Sequence, residues 1–179
     1  VDVRVARAAA ARAQGLGVRM VTMSVDPQVA GVGPGVFRNF VDAAAEARAL
    51  TERVVSEHGL VRVAVLHPDN FYGRHVAGVF AQAVKESGGQ LVQTQVYPGS
   101  RSPDFSGPLR ALFAGPDFDA LFIPDAAARV ALLAPHLAAA DPREEGRAIQ
   151  LLGPGTWADR KLLEHGAGRY LEGAVFATG

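Results

Sequence analysis

The stretch RVAVLHPDNFYGRH, residues 62–75, decides how the chain is read. Val63, Ala64, Val65 and Leu66 form a short unbroken apolar run, the pattern of a strand covered on both faces. His67-Pro68-Asp69-Asn70 interrupts that run with turn-forming residues. Tyr72 and Gly73 then open a second pattern, in which Val76, Val79, Phe80 and Ala83 recur at helical spacing. A buried strand, a short polar turn and a helix start form the unit from which an open α/β sheet builds a ligand crevice. The turn is therefore expected at the centre of a binding site.

Downstream, the same unit repeats. Residues 91–97 alternate apolar and polar side chains, which places that strand near a sheet edge. Asp104 or Ser106 is expected to cap a helix running through Phe113, with Pro108 tolerated in its first turn. Residues 119–123 (DALFI) read as a second buried strand. The next helix is expected to start near Asp125 and to carry Val130, Leu132, Leu133 and Leu137. Pro135 within it predicts a bend at residues 133–135. A solvated connection over residues 141–147 leads to a strand at 149–152. Thr156 and Asp159 have capping-box spacing for a short helix that Gly166 ends. Residues 173–177 read as a last strand.

This alternation predicts an α/β fold: a doubly wound, parallel five-stranded sheet with helices on both faces. Right-handed crossovers favour the strand order 2-1-3-4-5, which reverses direction between the first and third strands. The crevice then lies between the turns at 67–73 and 124–127, with the loop at 153–158 next along the same edge.

Upstream, residues 3–14 are rich in alanine and favour a helix, which Gly15 and Gly17 stop. Residues 18–24 follow as a strand, 26–35 as a loop, and 36–40 as a short linking strand. Asp42 is a candidate N-cap for a helix with Ala43, Ala47, Leu50 and Val54 on one face. Glu46, Glu52, Arg53 and Glu57 fall mostly on its other faces, and Gly59 suits a left-handed C-terminal cap. One helix and one strand cannot bury their own faces, so self-association through residues 1–23 is expected. The chain reads as starting in mid-domain and ending on a strand, with both ends cut.

Composition narrows the function classes. The 179 residues are 49% hydrophobic and 20% charged, with 18 basic residues balancing 18 acidic ones. No basic face is available to neutralise phosphates, which argues against a nucleic-acid partner. The absence of cysteine removes disulfides, thiolate metal sites and cysteine nucleophiles. Gly31, Gly33 and Gly35 are interrupted by Pro34 and open no helix, so no dinucleotide fingerprint is present. A nucleophile elbow, a phosphate-binding loop and a zinc-protease motif are likewise missing from the sequence. His67, Asp69 and His75 match no strong metal-ligand spacing. The expectation is a non-enzymatic protein with no catalytic residue, cofactor or metal.

The candidate ligand contacts each carry a plainer alternative. Asn70 and Tyr72 sit at a helix start, where free backbone N–H groups hold a carboxylate and a tyrosine covers a small ligand. Equally, Asn70 caps the helix and Tyr72 packs locally. Asp125 either pairs with a ligand ammonium or caps its own helix. Trp157, the single tryptophan, either stacks a ligand or is partly buried against its own helix.

VFRNF followed by a long helix, then RVAVLHPDNFYGR, GSRSPDFSGPLRAL, FDALFIPD and YLEGAVF, resembles the type I periplasmic binding proteins and their branched-chain amino acid receptors. The phrases FDALFIPDAAARVALLAPHLA, LLGPGTW and GRYLEGAVF are most similar to the penicillin-binding protein activators among them. The resemblance implies two α/β lobes joined by crossing strands, with residues 1–35 a remnant of the first lobe and 36–179 the second. It implies an extracytoplasmic or periplasmic receptor for a small polar, amino acid-like ligand, working with an ABC permease or in sensing. The alternative it implies is a protein-interaction module that activates a cell-wall synthase. Tyr72 matches an aromatic of the Tyr-Gly turn that lines the receptors' pocket, and Ser24 falls near the first-lobe loop that binds the ligand carboxylate. The acidic residue of their Gly-Pro-Glu-Gly turn aligns with Gly155, and their second pocket tyrosine aligns with Ala126.

Overall fold

The computed structural model describes residues 3–24, 26–39, 42–100, 103–142, 149–162 and 164–177. The chain divides into two compact units, residues 1–42 and 43–179.

In the first unit, α1 (Val3–Gly15) is followed by β1 (Met20–Thr22) and β2 (Val36–Arg38), which pair in parallel. Ala6, Ala10, Val29 and Val36 form its small core. The expected loop at 26–35 contains a 3-10 turn, Pro27–Val32, started by Asp26 accepting the Gln28 N–H at 3.0 Å. β2 pairs with β1 and so belongs to this unit.

The second unit contains α2 (Ala43–Thr51), which continues as a π-helical turn over Glu52–Glu57, then β3 (Arg62–Pro68) and α3 (Phe71–Glu86). Gly59, just beyond that turn, has φ +68°, the left-handed conformation its position was expected to need. β4 (Gln90–Tyr97), α4 (Ser106–Ala114), β5 (Ala120–Phe122), α5 (Ala127–Ala140), β6 (Gln150–Gly153) and β7 (Val175–Phe176) follow. Every pairing is parallel and the strand order is β4-β3-β5-β6-β7. This is the doubly wound sheet expected from the alternation, with β4 at an edge.

Period-two geometry divides the apolar strands between two cores. Val63, Val65, Ala120, Phe122 and Leu152 face one side, where Ala47, Leu50, Val76 and Phe80 of α2 and α3 cover them. Ala64, Leu66, Leu121, Ile123 and Leu151 face the other, under Leu109, Leu112, Val130 and Leu133 of α4 and α5. All four of Val63 to Leu66 are fully buried, which is why this run carries no alternation in the sequence.

Several local expectations are corrected. Ala126, not Asp125, holds the N-cap position of α5, which includes Pro135 and reaches Ala140. Proline there removes one backbone donor, while Val130, Leu133, Ala134 and Leu137 anchor both halves of the helix in one core. The short helix expected from Thr156 is instead a series of 3-10 turns, Gly155–Trp157, Arg160–Leu162 and Glu164–Tyr170. Thr156 does not cap it, because its hydroxyl donates to the Asp125 carbonyl at 2.9 Å. Phe105 holds the N-cap position of α4, although the Asp104 carboxylate accepts the Ser106 N–H at 2.9 Å. Residues 143–147 of the expected solvated connection, and Phe40 of the linking strand, lie outside the described residues.

Candidate ligand crevice

Strand order reverses direction at β3, because β4 lies on one side of it and β5 on the other. Helices returning on opposite faces part at such a point and leave a crevice beyond the carboxyl ends of the strands. The turn at 67–73 occupies that edge. Its Asp69 N–H donates to the Tyr97 carbonyl at the end of β4 at 2.7 Å. Asn70 caps α3, its side-chain oxygen accepting the Gly73 N–H at 2.7 Å. Gly73 permits this tight return: a Cβ there would stand 2.4 Å from the Pro68 carbonyl oxygen. The Tyr-Gly pair thus has a backbone reason, with the glycine letting α3 start close against β3.

Tyr72 projects from this first turn, half-buried, with its phenol near Thr156 in the loop after β6. Burial raises its pKa above the ordinary tyrosine value; the nearby Thr156 hydroxyl opposes that rise, and the charges of Glu46 and Asp125 add to it. Tyr72 and Thr156 therefore meet across the crevice edge, and Thr156 links onward to Asp125.

Asp125 is 5% exposed, and both of its carboxylate oxygens are engaged. Its carboxylate accepts the Tyr97 hydroxyl at 2.6 Å, the Ala126 N–H at 2.7 Å and the Arg129 Nε at 2.9 Å. Arg129 also donates to the Ser100 carbonyl at 2.6 Å. This network fastens the loops after β4 and β5 together. Trp157 is 1% exposed and packs in the core shared with Leu109 and Leu133. The open stacking face considered for it is corrected: its indole fills the space over Gly153, where a Cβ would meet it at 2.0 Å.

Ser24 lies in the first unit and is fully buried, its hydroxyl accepting the Asp26 N–H at 3.2 Å and its own N–H donating to Thr22 at 3.2 Å. The three residues weighed as metal ligands go to separate partners. His67 Nδ1 contacts the Pro68 carbonyl at 2.9 Å, Asp69 pairs with Arg74, and His75 stacks on Phe71.

The residue that sequence reasoning missed is Glu46. It occupies the first turn of α2, and its Oε2 accepts the Gly155 N–H at 3.2 Å. Its carboxylate also acts on the Tyr72 phenol. The signal was topological: in a doubly wound sheet the first turn of a returning helix lies at the same edge as the carboxyl ends of the strands.

The family model described as periplasmic binding protein matches residues 2–179. The chain belongs to the periplasmic binding protein family. Solved structures agree on the fold. A branched-chain amino acid ABC transporter protein of Rhodospirillum rubrum superposes with a TM-score of 0.79 at 21% identity, covering 97% of this chain and 48% of that one. A leucine-binding protein of Thermotoga maritima gives 0.72 at 23% identity, covering 98% and 48%. A solute-binding protein of Rhodopseudomonas palustris, solved with 3,4-dihydroxybenzoic acid, gives 0.67 at 23% identity, covering 91% and 44%. The chain spans less than half the length of these structures. No curated protein matches the sequence. The five-stranded unit corresponds to one lobe of the type I periplasmic binding protein fold. Members of this family are non-enzymatic, extracytoplasmic solute-binding proteins, and no described helix of this chain is long and apolar enough to cross a membrane.

Proposed function

We propose that this chain supplies a solute-binding lobe of an extracytoplasmic receptor of the ABC-transporter or sensory type, and that it binds a small polar ligand without transforming it. The observation that carries this reading is the pairing of Tyr72 with Thr156 across the switch point of a periplasmic binding protein lobe. A half-buried phenol held at a crevice edge offers an aromatic face and a hydroxyl to a small solute.

On this reading Tyr72 is the direct contact. Asn70 sets the helix start that presents it, Asp125 holds the neighbouring loops, and Trp157 supports the Gly153 strand end. Ser24 is the first unit's candidate contact. The partners implied are a small polar solute and an ABC permease. The matched structures reported above are ABC-transporter solute-binding proteins, and no observation favours the activation of a cell-wall synthase. Calorimetric titration of the full-length protein against amino acids, aromatic carboxylates and related small solutes tests the proposal. Binding that weakens on Tyr72→Ala supports it, and silence across the whole panel overturns it.

A further inference from the structure

We infer that the groove between α2 and α3 is a second ligand site, outside the crevice, for a small amphipathic anion: an oxyanion head on a flat apolar body. This site is independent of the receptor reading above.

The two helices lie side by side on one face of the sheet. Ala47 and Leu50 of α2, with Val76, Phe80 and Val84 of α3, pack toward the strands. Arg48, Gly78 and Gln82 are exposed on the outer side. There they border a groove of about 560 Å³. Small-molecule sites occupy roughly 300–1,000 Å³, so the groove has the size for a ring and a charged head.

Its lining has an apolar part and a cationic part. Ala44, Val79 and Ala83 supply the apolar part. Gly78 gives it depth, because a Cβ there would meet nothing within 4 Å. Arg48, Arg74 and His75 supply N–H donors. The one acid of the lining, Glu86, is the last residue of α3 and accepts the Gln82 amide at 2.8 Å. Arg74 shares its guanidinium with Asp69, whereas Arg48 makes no ion pair among the described residues. A guanidinium carries a planar fork of donors that matches a carboxylate or a phosphate. An anion therefore sets its head against the guanidinium groups, away from Glu86, and lays its apolar body over Gly78 and Val79.

The test is calorimetric titration of the full-length protein with naphthoate and naphthyl phosphate, beside neutral naphthalenemethanol and inorganic phosphate. The expected result is binding of a naphthyl anion, the tighter of the two naming the head. Naphthalenemethanol and inorganic phosphate each lack one half of the chemistry and bind at least about 10-fold more weakly. Arg48→Glu weakens the anion about 10- to 100-fold, the worth of a charged hydrogen bond. Gly78→Leu fills the groove and removes binding. Its melting temperature stays level or rises, because the added side chain enters open space and leucine favours helix over glycine. If neither naphthyl anion binds, if the alcohol or inorganic phosphate matches them, or if either variant leaves the affinity intact, the groove assignment falls, and the receptor reading is untouched.

Discussion

The Tyr97 hydroxyl donates to the Asp125 carboxylate at 2.6 Å, and the two residues are 1% and 5% exposed. This bond joins the end of β4 to the loop after β5, across the strand where the sheet order reverses. It fastens the end of β4 to a loop that shapes the crevice.

Tyr97→Phe removes the donor and leaves Asp125 with Arg129 and the Ala126 N–H. Hydrogen bonds to charged groups contribute about 1.5–3 kcal/mol, so urea unfolding at neutral pH should show a loss of that order. Ligand affinity should fall less than stability, because Tyr97 itself faces the core.

The alkaline limb of stability should depend on the same residue. Burial first, and then the Asp125 hydrogen bond and charge, push the Tyr97 pKa far above its ordinary value of 10.0. Tyr72 is shifted upward too, again mainly by burial. Above about pH 10 the unfolded chain releases phenol protons that the native state retains, so unfolding gains a driving force. The contribution of these residues is full below that pH and declines as pH rises. Urea midpoints measured through this range should fall steeply for the native sequence and less steeply for Tyr97→Phe.

Gly153→Ala should be costly despite its small size. The added carbon would stand 2.0 Å from the Trp157 indole, which is buried and cannot swing outward without opening the core. Overpacking of this kind costs about 1–3 kcal/mol or more. Trp157 is the single tryptophan, so a red shift in intrinsic fluorescence would report its displacement directly.

Asn70→Ala should destabilise by about 1 kcal/mol through loss of the cap on α3, whereas Asn70→Asp retains an acceptor and should be nearly neutral. If Asn70 also touched ligand, Asn70→Asp would alter affinity while sparing the melting temperature. Parallel titration and thermal denaturation distinguish the two.

Val21 and Phe37 are register partners in β1 and β2, exposed at 68% and 52%. Together with Val5, Leu16, Val18 and Met23 they leave apolar surface uncovered in the first unit. The 179-residue chain should therefore self-associate, giving a scattering mass above that of the monomer as concentration rises. Replacing Val21 and Phe37 by lysine should return it to monomer; a native chain monomeric throughout would contradict the expectation.

Much of the fold was legible because burial on both faces leaves a local mark. Val63 to Leu66 and residues 119–123 are unbroken apolar runs, and the alternation of residues 91–97 marks an edge strand. Chirality of crossovers then restricted the strand order. Local rules read less well where distant contacts compete with them. Thr156 did not cap a helix, since its hydroxyl is drawn to the Asp125 carbonyl in another loop.

Of the candidate site, the sequence by itself determined the turn at 67–73: a strand end, the Asn70 cap, and the Tyr72-Gly73 start whose glycine permits close approach to Pro68. These are relations between near neighbours, governed by backbone sterics and capping. Tertiary structure alone decided which partners each acid of this edge meets. Asp125 stands beside the crevice in sequence, yet Tyr97 and Arg129 occupy it. Glu46 lies 109 positions from Gly155, yet meets its N–H. A carboxylate's availability depends on the donors that the fold brings to it, and those come from other elements of the sheet edge.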